Sequence, residues 1–499
     1  MAQRDPDARA KFCGLLPAWR SYGLLPALLL GLVSGTGVAC AAGAAAGQGP
    51  PGAPPIDAGG NAAHAQSRAA PAPPGPDSHW PRLLAAQYTF IEQWQSALTS
   101  PYEGEHSLDP EGDHQPTHTI GAYSGWAPLS WAQAYFDVEK FMGAGVSGAT
   151  GLGGITNGDV IREGAAGLKK QFYIARLYAR FMLPLGSDTV RVERGQDQLP
   201  GFEPARRLEF KAGWLAANDD FDRNRYGGSA RTQFLNWSLW QNTAWDYAAD
   251  TRGYTDGFVL GYISPQWSLK YGMYRMPTVA NGQTLETLNR AREQNLELTL
   301  APGALATVVR LLAYLNTAHL GDYRQALAIA EATGTVPDIA ANGENGRRKF
   351  GFGVNVEQPL ADDGNTGVFA RLGWNDGHTE SFAFTEVDRL ASFGGELSGA
   401  RWRRGEDCLG AAIAIEGLSV PHRDYLGAGG SGFLLGDGRL NYGVEQIFET
   451  YYRAQWSWTL AQAPIRLQLG PDFQYVQNPG FNRDRGPVRF VALRVHLEY

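Results

Sequence analysis

The last nine residues of the chain alternate without a break. Val491, Leu493, Val495, Leu497 and Tyr499 share one parity, and Ala492, Arg494, His496 and Glu498 the other. Successive side chains of a strand point to opposite faces, so this segment has one greasy face and one wet one. The pattern recurs upstream. Within residues 205–215, Leu208, Phe210, Ala212 and Trp214 oppose Arg207, Glu209 and Lys211. Within 171–183, Ala175, Leu177, Ala179, Phe181 and Leu183 oppose Arg176, Tyr178 and Arg180. Within 347–357, Phe350, Phe352, Val354 and Val356 oppose Lys349, Asn355 and Glu357. Within 440–453, Leu440, Tyr442, Val444, Phe448 and Tyr452 oppose Glu445, Glu449 and Arg453.

A soluble sandwich alternates as well, so a second observation is needed. Residues 1–20 are basic, 24–33 are a Leu-rich apolar run and 35–46 are rich in small residues, the layout of a secretory signal peptide. The apolar run falls short of the roughly 20 residues of a membrane-spanning helix. An exported chain that ends on an aromatic residue closing an alternating strand reads as an outer-membrane β-barrel, lipid outside and water within. From residue 116 on, at roughly 10 residues per strand plus connections, about 16 strands (16–18) fit. A barrel of that size has a water-filled bore unless something fills it. Too little chain precedes it for a separate plug domain.

The expected organisation is therefore all-β. Residues 1–44 form the signal peptide and 45–78 a disordered Pro/Gly/Ala-rich linker. Residues 79–115 form an N-terminal periplasmic segment, with 79–96 as an amphipathic helix, and 116–499 the barrel. Cys13 and Cys40 lie in or near the export segment, which leaves Cys408 alone and allows no disulfide framework. The Gly37-Val38-Ala39-Cys40 sequence is a poor lipoprotein box. A net charge of −7 without a basic stripe argues against nucleic acid as a partner.

The stretch 218–257 departs from the alternation. It is too polar for a core helix and dense in Trp, Tyr, Asn, Asp and Arg. Long ordered connections between strands are uncommon and usually functional. Ring faces that take C–H groups, beside Arg, Asn and Asp that take hydroxyls, suit a sugar. The expected arrangement folds this loop inward to narrow the bore. The candidate constriction residues are Arg231, Asn236, Trp237, Trp240, Asn242, Trp245, Asp246, Asp250 and Arg252. By parity the pore wall carries Arg176, Arg180, Arg207, Lys211 and Arg453 together with Asp137, Glu139, Glu209, Glu445 and Glu449. Mixed signs suit neutral hydroxylated solutes better than a single-sign filter, although Arg176 and Arg180 on one face could belong to a basic ladder. For single residues, packing of Trp237 and Trp240 on the wall and a structural Asp250–Arg252 turn are equally good readings.

Other clusters carry less. His106, Asp109, Glu111, Asp113, His114 and His118 lack a metal-ligand spacing and read as a solvated loop. The Gly-rich residues 143–154 have no Walker lysine and read as a flexible turn or pore loop. Ser147 and Ser431 sit among glycines, but neither lies in a nucleophile elbow, and no triad can be nominated. No catalytic residue, metal or cofactor is expected.

Several blocks, in order, carry a family resemblance: AQYTFIEQWQSALTSPYEGEHSL (86–108), FMGAGVSGATGLGGITNGDV (141–160), FDRNRYGGSARTQFLNWSLWQNTAWDYAADTRGYTDG (221–257), MPTVANG (276–282), FAFTEVDR (382–389), HRDYLGAGGSGFLLGDGRLNYGVEQIFETYY (422–452) and DFQYVQNPGFNRDRGPV (472–488). The chain resembles the carbohydrate-selective porins of Gram-negative outer membranes, the OprB type. The resemblance implies a 16-stranded barrel that passes mono- and oligosaccharides down their gradient. Its surroundings would be outer-membrane lipid and lipopolysaccharide, and a homotrimer would be compatible with it. A general or anion-preferring porin stays open as an alternative, as do an outer-membrane barrel enzyme and an adhesive barrel with a filled lumen.

Overall fold

Strict alternation closes into a cylinder. The computed structural model describes residues 82–160, 168–303, 306–460 and 463–499. The strands of the first half are β1 (Leu83–Gln95), β2 (Asp113–Leu129), β3 (Ala132–Met142), β4 (Tyr173–Pro184), β5 (Thr189–Val192), β6 (Gly201–Pro204), β7 (Arg207–Leu215), β8 (Thr255–Ile263) and β9 (Trp267–Arg275). Those of the second half are β10 (Arg292–Leu300), β11 (Val308–Leu320), β12 (Glu344–Ala361), β13 (Thr366–Asn375), β14 (Arg389–Ser398), β15 (Cys408–Gly417), β16 (Glu445–Leu460), β17 (Ala463–Gln477) and β18 (Val488–Glu498). Sixteen of them form one closed antiparallel barrel, each paired with its neighbours, and β5–β6 form a separate two-stranded sheet. Three short helices lie in connections: α1 (Trp237–Trp240), α2 (Tyr323–Thr333) and α3 (Val420–Gly427).

The outer face keeps large apolar side chains exposed, among them Leu177, Phe181, Leu208, Leu260, Phe352, Leu372, Phe393, Ile413 and Leu493. In water such a band would be an aggregation surface; in a bilayer it is solvated. Long connections leave one end of the barrel and short ones the other. In outer-membrane barrels the short-turn end faces the periplasm. The exception is the connection between β4 and β7, which is a short-turn-end segment enlarged by β5 and β6.

The expected N-terminal helix is not there. Residues 83–95 are β1, which pairs along its length with β2 and with β18, Tyr88 facing Leu497 and Trp94 facing Val491. The apolar positions of this segment fit both periods. Closure decides between them, since without β1 the edges of β2 and β18 would be left unpaired inside a membrane. The barrel therefore begins at Leu83 rather than at residue 116, and β2 itself starts at Asp113. The readings for residues 1–44 and 45–78 lie outside the described residues. A chain begun at residue 116 lacks β1 and the start of β2, and is expected to give no heat-modifiable folded band on a semi-native gel. A folded band from that truncation would contradict the closure shown by the β1–β18 pairing.

Candidate functional site

The 216–254 connection between β7 and β8 turns into the bore and is tied to much of its circumference. Buried polar groups need partners, and the inward faces of the strands supply them. Glu449 on β16 accepts from the Leu235 and Asn236 N–H groups at 2.5 and 2.9 Å, and Gln474 on β17 accepts from Asn236 Nδ2 at 3.1 Å. Arg494 on β18 donates to the Ala230 and Gln233 carbonyls, and Arg453 on β16 to the Thr232 carbonyl at 2.7 Å. On the other side Trp245 Nε1 donates to Glu293 (2.8 Å) and Asn295 (3.1 Å) on β10. Lys349 on β12 lies 3.3 Å from the Asp246 carboxylate, and Tyr314 and Asn375 donate to the Ala244 carbonyl. Two glycines admit this approach. A Cβ on Gly353 or Gly373 would strike the Asn242 side chain.

A second inward segment backs the first. Residues 143–160, after β3, pass under α1, with Ile155 O accepting from Trp237 N–H at 3.0 Å and Leu235 O from Gly158 N–H at 2.7 Å. A side chain at Gly158 would collide with the Trp240 indole. This settles the Gly-rich 143–154 stretch as part of an inward loop.

On the β3–β4 side the loop carries a partly solvent-accessible charge cluster. Arg231, with 23% of its side chain exposed, binds Asp159 at 2.7 Å and Glu139 at 2.8 Å. Glu139 also accepts from the Tyr123 and Tyr254 hydroxyls, each at 2.7 Å. The Tyr173 and Tyr254 rings lie 6.1 Å apart, and the Arg252 guanidinium sits 4.8 Å above Tyr173. Charged forks alternate here with ring faces, the pairing that a pyranose uses. Asp250 stands behind, accepting from the Arg252 and Tyr254 N–H groups. Burial pushes its carboxyl up to about 6, against those donors. Next to the cluster, Arg176 holds Asp219 in a two-bond fork at 2.7 Å and keeps its carboxyl well below the usual range although burial opposes this.

An aromatic stack, largely buried, packs the loop against the 376–388 connection. Phe384, in the 376–388 connection, lies parallel to Trp237 (5.0 Å, 6°) and to Tyr247 (5.2 Å, 18°), and Trp240 tilts against Trp237 at 4.6 Å. Phe384 holds a left-handed φ of 57°, an uncommon conformation for a bulky residue.

The expected constriction residues thus fall into two groups. Arg231 and Arg252 belong to the partly exposed cluster, whereas Trp237 and Trp240, 5% and 9% exposed, pack inside the loop. Asn236, Asn242, Trp245 and Asp246 are turned to the wall or into the loop's own fold, each at most 2% exposed, and Asp250 shapes the exit turn. The expected wall residues Asp137, Glu139, Arg176, Arg180, Arg207, Glu209, Lys211, Glu445, Glu449 and Arg453 all point inward. They do not form a basic ladder. Arg180 is matched by Glu203 and Glu209, Arg207 by the same two acids, Lys211 by Asp220, and Arg176 by Asp219, Asp137 and Asp197. Sequence reasoning missed Asp159, Tyr173, Tyr254 and Phe384, which come from four separate stretches. It also missed Arg371, the buried anchor from β13. Of the His/Asp/Glu cluster at 106–118, His114 stacks on Trp94 on the outer face (5.1 Å, 8°), and among the described residues no group of three such side chains is placed to hold a metal ion.

The fold has counterparts of known structure. Pseudomonas putida OprB, in its high-pH structure, superposes with a TM-score of 0.59 at 14% identity, over 83% of this chain and 94% of that one. The outer membrane channel DcaP of Acinetobacter baumannii gives 0.44 at 10% identity, over 84% and 96%. Pseudomonas aeruginosa OccK5 (OpdH) gives 0.37 at 10% identity, over 83% and 97%. A comparison with curated proteins gives no match. Residues 130–499 match the carbohydrate-selective porin, OprB family. With its sixteen-stranded barrel and a bore crossed by an Arg- and Trp-bearing loop, this chain belongs to the OprB family of carbohydrate-selective porins of the outer membrane.

Proposed function

We propose that sugars passing through the barrel are selected where the central loop meets β3 and β4, by the Arg231–Asp159–Glu139 cluster and the Tyr173 and Tyr254 rings. The observation that carries this reading is Arg231: a partly exposed fork, held by two carboxylates and flanked by tyrosines. A fork that keeps part of its surface in water can exchange solvent for ring hydroxyls without losing its anchors. The pairing of every expected wall cation with a nearby carboxylate, Arg453 with Glu396 at 3.9 Å included, favours neutral solutes over the anion-preferring alternative.

Residues 1–44 act in this reading as the export signal, and 45–78 as a tether. The outer band meets membrane lipid and lipopolysaccharide. For a homotrimer the best-suited surface is the outer face of β1–β2, where the small Ala86 and Ala122 accompany a hydrogen-bonded Tyr88–His118 pair. Liposome swelling tests the selectivity. Mono- and disaccharides are expected to enter faster than neutral polyethers of matched size, and equal rates would remove sugar selection from this pore.

A further inference from the structure

Among the described residues, the 185–206 connection is the periplasmic-end segment that folds back into the barrel. Its β5–β6 hairpin projects Arg191 and Phe202 outward, and the stretch between them runs along the inner wall. Glu203 takes a charged fork from Arg180 on β4, at 2.5 and 2.9 Å, and lies 3.3 Å from Arg207 on β7. Leu199, 2% exposed, packs between β2 and β3, against Gly125 and the Tyr135 ring. Beyond it, Gln196 and Arg194 donate to the Ala86 and Leu84 carbonyls of β1, at 3.4 and 2.7 Å. The segment therefore crosses from β7 to β1 on the lumen side. Asp197 at its centre reaches Arg176 at 3.4 Å and the Tyr178 hydroxyl at 3.3 Å. The same Arg176 grips Asp219 of the central loop.

We infer that residues 185–206 form a second constriction, on the periplasmic side and in series with the central loop, and that Arg176 positions both by bridging Asp197 to Asp219. A segment laid against the inner face of a wall through its side chains takes up to about 10 Å from the bore, the spacing of layers packed face to face. A solute that has cleared the central loop must pass this strap before it leaves the barrel. The strap sets the upper size of the sugar, and the central loop sets which sugar is held. This goes beyond the selection proposed at Arg231 and needs only that both segments share one pore.

The test is an excision of residues 187–204, replaced by an Asn-Gly turn in the full chain. The ends are already apposed, Leu185 N–H donating to the Arg206 carbonyl at 2.9 Å. In planar bilayers the conductance is expected to rise about twofold, since removing a layer of chain from the inner wall widens the periplasmic end of a water-filled barrel. Swelling rates for trisaccharides should rise more than those for monosaccharides, while block of ion current by a disaccharide, which reports on the central loop, persists. A folded excision variant with unchanged conductance and an unchanged size limit overturns the inference. A second variant avoids the excision. Gln198→Cys is labelled with a bulky charged methanethiosulfonate, with the unsubstituted protein as control, its Cys408 being buried. A stepwise drop in current on labelling supports the strap, and full labelling confirmed by mass with no change in current refutes it.

Discussion

Arg371→Met is expected to release the central loop from the wall and to lower the temperature at which the folded barrel band is lost. Arg371 leaves β13 with 1% of its surface exposed and holds the loop at three carbonyls: Gly227 at 2.6 Å, Leu239 at 3.2 Å and Asp222 at 3.3 Å. Its Nε lies 3.2 Å from the Asp222 carboxylate. Asp222 is the loop's hub. It sits at a left-handed φ of 53°, and its carboxylate also accepts from Asn242 N–H and Asn355 Nδ2, each at 2.8 Å. Methionine fills much of the volume but strands that carboxylate without a cation, a change that costs about 3–5 kcal/mol at buried pairs. The cost falls on the loop rather than on the strand ladder, so the barrel should still assemble. The expected record is a folded band that melts earlier, with a larger and noisier single-channel current. An unchanged melting point and an unchanged current would show that the loop's other anchors suffice without Arg371.

The alternating strands were legible because a membrane barrel repeats one rule along its length: an apolar side chain meets lipid at every second residue. Residues 205–215 carry that rule in plain form; in 171–183 it holds from Leu177 on, but a register shift against β3 buries Ala175, expected on the lipid face, and turns Ile174 outward. β1 was misread because Leu83, Leu84, Tyr88 and Ile91 also satisfy a helical spacing, and only the partner strand 400 or so residues away distinguishes the two. The 185–206 strap was invisible for a different reason. Its β5 has four residues, and the contacts that fold it inward are made by single side chains such as Glu203, Asp197 and Leu199. The position of the central loop could be argued from its polarity, but not the aim of each side chain. Trp245 and Trp237 read alike in the sequence. One is turned to Glu293 on the wall, and the other meets a ring supplied by residue 384.

Arg231→Ala is expected to weaken block of the ion current by a disaccharide about tenfold, the equivalent of roughly one charge-assisted hydrogen bond, or about 1.4 kcal/mol. The fold should tolerate the change better than it tolerates loss of Arg371. Arg231 is partly exposed, and Glu139 keeps the Tyr123 and Tyr254 hydroxyls while Asp159 can be rehydrated. Arg231→Lys separates geometry from charge. It restores the cation but not the planar fork that spans Asp159 and Glu139 together, so it should recover the native ion preference while leaving most of the lost sugar block unrecovered. Trp245→Phe serves as the opposite control: the indole N–H bonds to Glu293 and Asn295 are lost, yet no ring facing the permeation path changes, so block should hold while thermal stability falls. If Arg231→Ala and the native protein are blocked equally by the disaccharide, with the loop still in place by the melting criterion, selection does not occur at this cluster. The Arg252–Tyr173 pair, both residues partly exposed, would then be the contact to vary next.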